Sequence, residues 1–191
     1  MKRNILYLLF FACVTWVSLS SRSGGPATNG LGDRTGSPVG SAAGCSCHGG
    51  GSFSPIMNIE VKDGLNNSVT SYTPGETYTL EFTVSAGAGS PGGFGFQGLA
   101  ISSAAGNAGA GTMNSVISGN TQIVSSGGRS YIEHQGTSPT GFFQISWTAP
   151  STGFGQVDIY SRGLAVDATG STGGDEQSGS VVVSLTESAP A

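Results

Sequence analysis

Charge is scarce in this sequence: of 191 residues only 9% are Asp, Glu, Lys or Arg, and 7 basic against 11 acidic residues leave a net charge of −4. So few cations give no electrostatic footprint for nucleic acid, and so few charges of either sign exclude a coiled coil or a solvated disordered tail. Cysteine numbers 3 and histidine 2, so chemistry that needs thiolate or imidazole has few places to go. No stretch after the N-terminal apolar run repeats apolar residues at spacings of three and four for more than about a turn, which leaves helices few and short. Glycine is abundant at 33 residues. A mature chain of this length buries some two-thirds of its unfolded surface, so its core does not need disulfides.

The N-terminus reads as an address. Lys2 and Arg3 precede an apolar run at 5–19, and small residues follow at Ser20 and Ser21. The run is shorter than the roughly 20 residues that cross a bilayer as a helix, so residues 1–21 are expected to be a cleaved signal peptide. The alternatives are a single membrane anchor and a lipoprotein site at Cys13. No second long apolar run appears, and the end, 185–191, carries neither an apolar tail nor a basic stop. The mature chain is expected to be exported, to the periplasm, cell surface or medium, without a membrane span.

Residues 22–54 are rich in Ser, Gly, Pro and Thr without periodicity, and are expected to form an irregular arm whose order comes from something it packs on. From residue 55 the pattern becomes period two. Tyr78, Leu80, Phe82 and Val84 alternate with Thr77, Thr79, Glu81 and Thr83, and Phe143, Ile145 and Trp147 alternate with Gln144 and Ser146, as in half-buried strands. Further strands are expected at Ile56–Lys62, Phe94–Ser102, Thr121–Ser125, Tyr131–Gln135, Gln156–Arg162 and Ser180–Thr186. Alternation slips at Gly98, which suggests a bulge, and the bulk-poor run Ala104–Gly111 reads as a loop. About eight short strands with Gly-rich turns predict an all-β fold, an antiparallel immunoglobulin-like sandwich over 55–187 with a short tail at 188–191.

With residues 1–21 removed, the thiols are Cys45 and Cys47 and the imidazoles His48 and His134. Two cysteines followed at once by histidine is the arrangement of covalent haem attachment, in which thiols add to the porphyrin vinyl groups and the histidine coordinates iron. The usual motif has two residues between the cysteines, and here there is one. Residues two apart share a side only on extended backbone, so two thioether bonds need a different local backbone and one bond is the alternative. A Cys45–Cys47 disulfide is a second possibility, closing a small strained ring. A zinc or copper site of Cys45, Cys47, His48 and His134 is a third. His134 lies on a candidate strand, either as a surface or hydrogen-bonded residue or as a second axial ligand, with Met57 and Met113 behind it. Asp167, Asp175 and Glu176 read as solvated loop acids or, less well, as calcium ligands. No nucleophile elbow or third histidine is present to build a hydrolase triad.

Several of these features together resemble a known family. Thr35 to Pro38 leading to Cys45–His48, then Tyr72 to Tyr78, Gly95 to Gln97, His134, Trp147 to Pro150, Val157 to Tyr160 and Gly174 with Asp175 are similar to exported bacterial proteins with the reelin-like choice-of-anchor V domain. The resemblance spans roughly residues 32–185. It implies a cytochrome-like double-cysteine–histidine motif ahead of an immunoglobulin-like sandwich, with haem c attached at Cys45 and Cys47, His48 as proximal ligand and His134 as distal ligand. The function expected is that of an electron carrier rather than an enzyme, with redox proteins as partners and self-assembly into an oligomer or filament. A structural or adhesive module without haem is the contrasting expectation.

Overall fold

A computed structural model describes residues 24–40 and 47–189; the expected signal peptide, Cys13 and Cys45 lie outside them. Every regular element among the described residues is a strand: β1 (Gly49–Gly50), β2 (Pro55–Lys62), β3 (Ser71–Tyr72), β4 (Thr77–Ala86), β5 (Gly93–Ser102), β6 (Ala108–Gly109), β7 (Thr112–Ser118), β8 (Thr121–Ser126), β9 (Arg129–His134), β10 (Phe142–Thr148), β11 (Val157–Val166) and β12 (Gly173–Glu187). They form a sandwich of two sheets. One is four-stranded in the order β2-β4-β10-β7; the other is eight-stranded, running β1-β12-β11-β5-β9-β8 with β3 beside β12 and β6 beside β5. The long neighbours pair antiparallel, and only the two-residue strands β1 and β3 lie parallel to β12.

The alternating residues of β4 and β10 supply one wall of the core, because side chains at every second position of a strand share a face. Leu80, Phe82, Phe143, Ile145 and Trp147 pack from that sheet against Phe96, Ile132, Val157, Ile159 and Leu185 of the other. Phe96 stacks on Phe143 with ring centroids 4.2 Å apart. The tight entry to β10 is made by Gly141 at φ +64°, where a Cβ would run into the carbonyl oxygen of Val84. Gly141→Ala is therefore expected to cost about 2 kcal/mol or more, since the left-handed conformation alone costs an L-residue roughly 1–3 kcal/mol. Urea denaturation checks this.

The larger sheet is covered on both faces, which corrects the bulge expected at Gly98. β5 pairs through Gly98 with Ser161 of β11 and Ile132 of β9 without a register shift. Its inner face meets the main core, while Leu99 and Ile101 pack with Tyr131 and Ala27 in a second cluster beneath the N-terminal arm. A strand buried on both faces loses its polar–apolar alternation. The irregularity in register falls instead between Arg162 and Leu164, where β11 meets β12. The run 104–111 is also not wholly a loop, since Ala108 and Gly109 pair with Ser102 and Ile101.

The arm owes its order to buried acceptors on the sheet it crosses. Glu133 of β9, fully buried, accepts from the backbone N–H of Ala27 and of Thr28, both at 2.8 Å. Gln97 of β5 accepts from Arg34 N–H at 2.7 Å and donates to the carbonyl of Gly32 at 3.1 Å. Further along, Thr35 and Ser37 both donate to the buried Asp33 carboxylate, which closes the turn.

Candidate functional site

On its outer face the larger sheet carries a cavity of about 520 Å³. Its base includes Arg162, Leu164 and Val166, the alternating outward residues of β11; Pro26, Leu31 and Arg34 of the arm line another part. Cys47, His48 and His134 line the same cavity, as does Asp175. Three of the four residues singled out by the scarcity of thiols and imidazoles thus share one space, although His48 and His134 are far apart in the chain. Cys45, the fourth, lies outside the described residues.

Each imidazole is held by one nitrogen. Pairing of β1 along β12 sets Gly50 opposite Asp175, and this brings His48 Nδ1 within 2.7 Å of Asp175 Oδ2. Asp175 is itself fixed, its Oδ1 accepting from the N–H of Asp167 at 2.9 Å, and its side chain is only 3% exposed. On β9, His134 Nδ1 lies 2.9 Å from the carbonyl oxygen of Phe96 and 3.1 Å from its N–H nitrogen. Donation to the Phe96 carbonyl puts the proton on Nδ1 and leaves Nε2 with a free lone pair, whereas acceptance from the Phe96 N–H puts the proton on Nε2. The His134 ring lies flat against Gly95, where a Cβ would come within 2.9 Å of Nδ1; only glycine leaves room for it. In both residues Nε2 is the nitrogen without a partner among the described residues, and it is the atom left for a metal or ligand when Nδ1 carries the proton.

Burial pushes the His134 imidazole below its ordinary value, and the nearby His48 adds to the depression, while the Phe96 carbonyl and the Glu133 carboxylate oppose it. The net shift is downward, so His134 is neutral at neutral pH, the form that coordinates metals. Cys47 is exposed and lines the cavity.

Other expectations need correction. Met57 and Met113, the reserve axial ligands, are buried between the sheets in the main core; their thioethers pack rather than face the cavity. Asp175 and Glu176 are not solvated loop acids, since β12 begins earlier than expected and includes both. Glu176 accepts from the N–H groups of Phe53 and Ser54 and so ties down the chain that follows the Cys–His segment. Among the described residues no group of three or more His, Cys, Asp or Glu side chains is placed to hold a metal ion by itself. The sequence reads Asp175 as a loop acid or calcium ligand and not as the support of His48, and Gln97 and Glu133 escaped sequence reading as site residues. The only signals were an acid beside a Gly pair at 173–174 and an acid adjoining His134.

Fold and site together define an all-β sandwich module with a ligand-sized cavity under an N-terminal arm. Its fold is similar to that of the human F-spondin reeler domain, at 19% identity over 78% of this chain and 99% of that one with a TM-score of 0.49. A second structure of the human domain matches at 21% identity over 75% and 99%, TM-score 0.46. A cohesin module from a Clostridium perfringens family 33 glycoside hydrolase matches at 10% identity over 71% and 98%, TM-score 0.48. No family model matches the chain, and no curated protein does. Among the described residues no helix is long and apolar enough to cross a membrane.

Proposed function

We propose that this chain is an exported haem-binding carrier of the cytochrome c type, in which Cys47 and Cys45 would attach one haem c and His48 and His134 would hold its iron. One observation carries the reading: both imidazoles of the mature chain and Cys47 line one cavity, each imidazole tied at Nδ1 so that Nε2 is the nitrogen left over. The size of the cavity and its partly apolar lining support the reading. About 520 Å³ falls within the range of roughly 300–1,000 Å³ for sites that enclose a small organic ligand, and Pro26, Leu31, Leu164 and Val166 give it an apolar surface.

Bound haem would supply one-electron chemistry at its iron, and the protein's part is burial, ligation and nearby charge. Asp175 orients His48 and makes its imidazole a stronger donor, as a carboxylate behind a ligating histidine does. The Phe96 carbonyl, accepting from Nδ1–H at 2.9 Å, would do the same for His134. Nothing in this reading calls for a bound substrate, so the chain is a carrier rather than an enzyme. Its partners would be redox proteins or further copies of itself. The edge strand β7, with Val116 and Ile117 exposed, is a surface on which copies could add.

Expression of the full chain with haem-maturation machinery tests the proposal. A Soret band is expected, together with a mass gain of about 616 Da at the Cys45–Cys47 peptide. Colourless protein with unmodified thiols, or with two hydrogens lost from them, would favour the second reading, a structural or adhesive surface module. That reading draws on the arm, whose hydrogen bonds to Glu133 and Gln97 need no ligand. Zinc or copper by elemental analysis would point to the third.

A further inference from the structure

The cavity contains a cation that the described fold does not neutralise. Arg162 stands on the outer face of β11, opposite Gln97 of β5 and Ser180 of β12. Of its N–H donors only Nη1 makes a hydrogen bond, to Gln177 Oε1 at 3.3 Å. Its Nε is buried and without a partner, and it forms no ion pair with a described carboxylate, the acid of this cavity, Asp175, being engaged by His48. Leu164 and Val166 extend the same strand face as apolar surface.

A guanidinium partly withdrawn from water with one weak hydrogen bond is costly unless something supplies the missing acceptors. Its planar fork matches a carboxylate, which can accept two parallel N–H bonds. We propose that Arg162, with Gln177 beside it, is a carboxylate-binding subsite of the cavity. It takes the acidic edge of a planar ligand whose centre the imidazoles hold. The proposal rests on the haem reading, and it names a determinant of ligand orientation: haem has two carboxylates on one edge, and Arg162 pairs with one of them.

The full chain, produced without haem-maturation machinery, is titrated with haemin and with haemin dimethyl ester, in which both carboxylates are blocked. Wild-type protein is expected to bind haemin about tenfold more tightly than the ester or better, the scale of a charge-assisted hydrogen bond. Arg162→Gln should weaken haemin by a similar factor and remove the discrimination. Arg129→Gln, at an arginine outside the cavity, should leave it intact. Equal binding of acid and ester by wild-type protein overturns the subsite while leaving the haem reading in place, and failure to bind either porphyrin overturns both. Should Arg162→Gln fail to fold by circular dichroism, the acid-to-ester ratio of the wild-type protein still decides.

Discussion

Trp147→Ala is expected to lower the unfolding free energy by about 4 kcal/mol, within the 3–5 kcal/mol typical of removing a buried large aromatic side chain. Trp147 is fully buried near the C-terminal end of β10. Its ring meets Tyr72 edge-on, with centroids 6.2 Å apart, and Tyr78 at 6.0 Å, and its indole N–H donates to the carbonyl of Ala110 at 2.9 Å. Truncation therefore empties the largest site in the core, removes two ring contacts and leaves a buried carbonyl without its donor. A domain of this size has about 5–15 kcal/mol in all, so the variant sits near its folding threshold. Trp147→Phe keeps most of the packing and loses the donor, and should cost about 1–2 kcal/mol. Denaturant midpoints at unchanged slope measure both. An Ala variant no worse than the Phe variant would mean that the core closes around the gap.

Strands with one dry and one wet face were legible in the sequence, because that asymmetry imposes period two. β4 and β10 are of this kind, and the structure extends them by only a residue or two beyond the alternating run. β5 was legible as a strand but misread in detail, since the arm covers its second face and Leu99 and Ile101 had no visible reason to be apolar. β7 was missed altogether. It is an edge strand with two register irregularities against β10, and its exposed Val116 and Ile117 follow no alternation.

The same distinction separates the parts of the site. His48 and His134 could be found by counting, since few residues can ligate soft or borderline metals. Their supports could not, because the contacts join positions far apart in the chain: His48 and Asp175 are separated by 127 residues. An acid in a Gly-rich stretch looks solvated until a parallel pairing, Gly50 with Asp175, draws it under the histidine. Arg162 was likewise one outward residue on an ordinary strand until the arm crossed the sheet and turned an exposed position into a cavity wall.

Removal of the Glu133 carboxylate is the second large expected effect. Glu133 is fully buried yet accepts four hydrogen bonds: from Ala27 N–H and Thr28 N–H at 2.8 Å, from Gln97 Nε2 at 3.2 Å and from Gln122 Nε2 at 3.4 Å. Bonds to a charged acceptor contribute about 1.5–3 kcal/mol each when broken singly, and Glu133→Ala strands several donors at once. The expected loss is about 3 kcal/mol, and it falls on the arm first, because the sandwich core lies on the other side of the sheet. Release of the arm exposes Leu99, Ile101 and Tyr131 to water and removes Pro26, Leu31 and Arg34 from the cavity wall. Amide exchange at Ala27 and Thr28 should therefore accelerate more than a hundredfold, as a loss of about 3 kcal/mol in local opening energy requires, while β4 and β10 amides change little. Glu133→Gln, which keeps the shape and one acceptor oxygen, should fall between the two. Equal acceleration at the arm and in β10 would mean that arm and sandwich open together, so that the clasp stabilises the whole domain rather than the cover of its cavity.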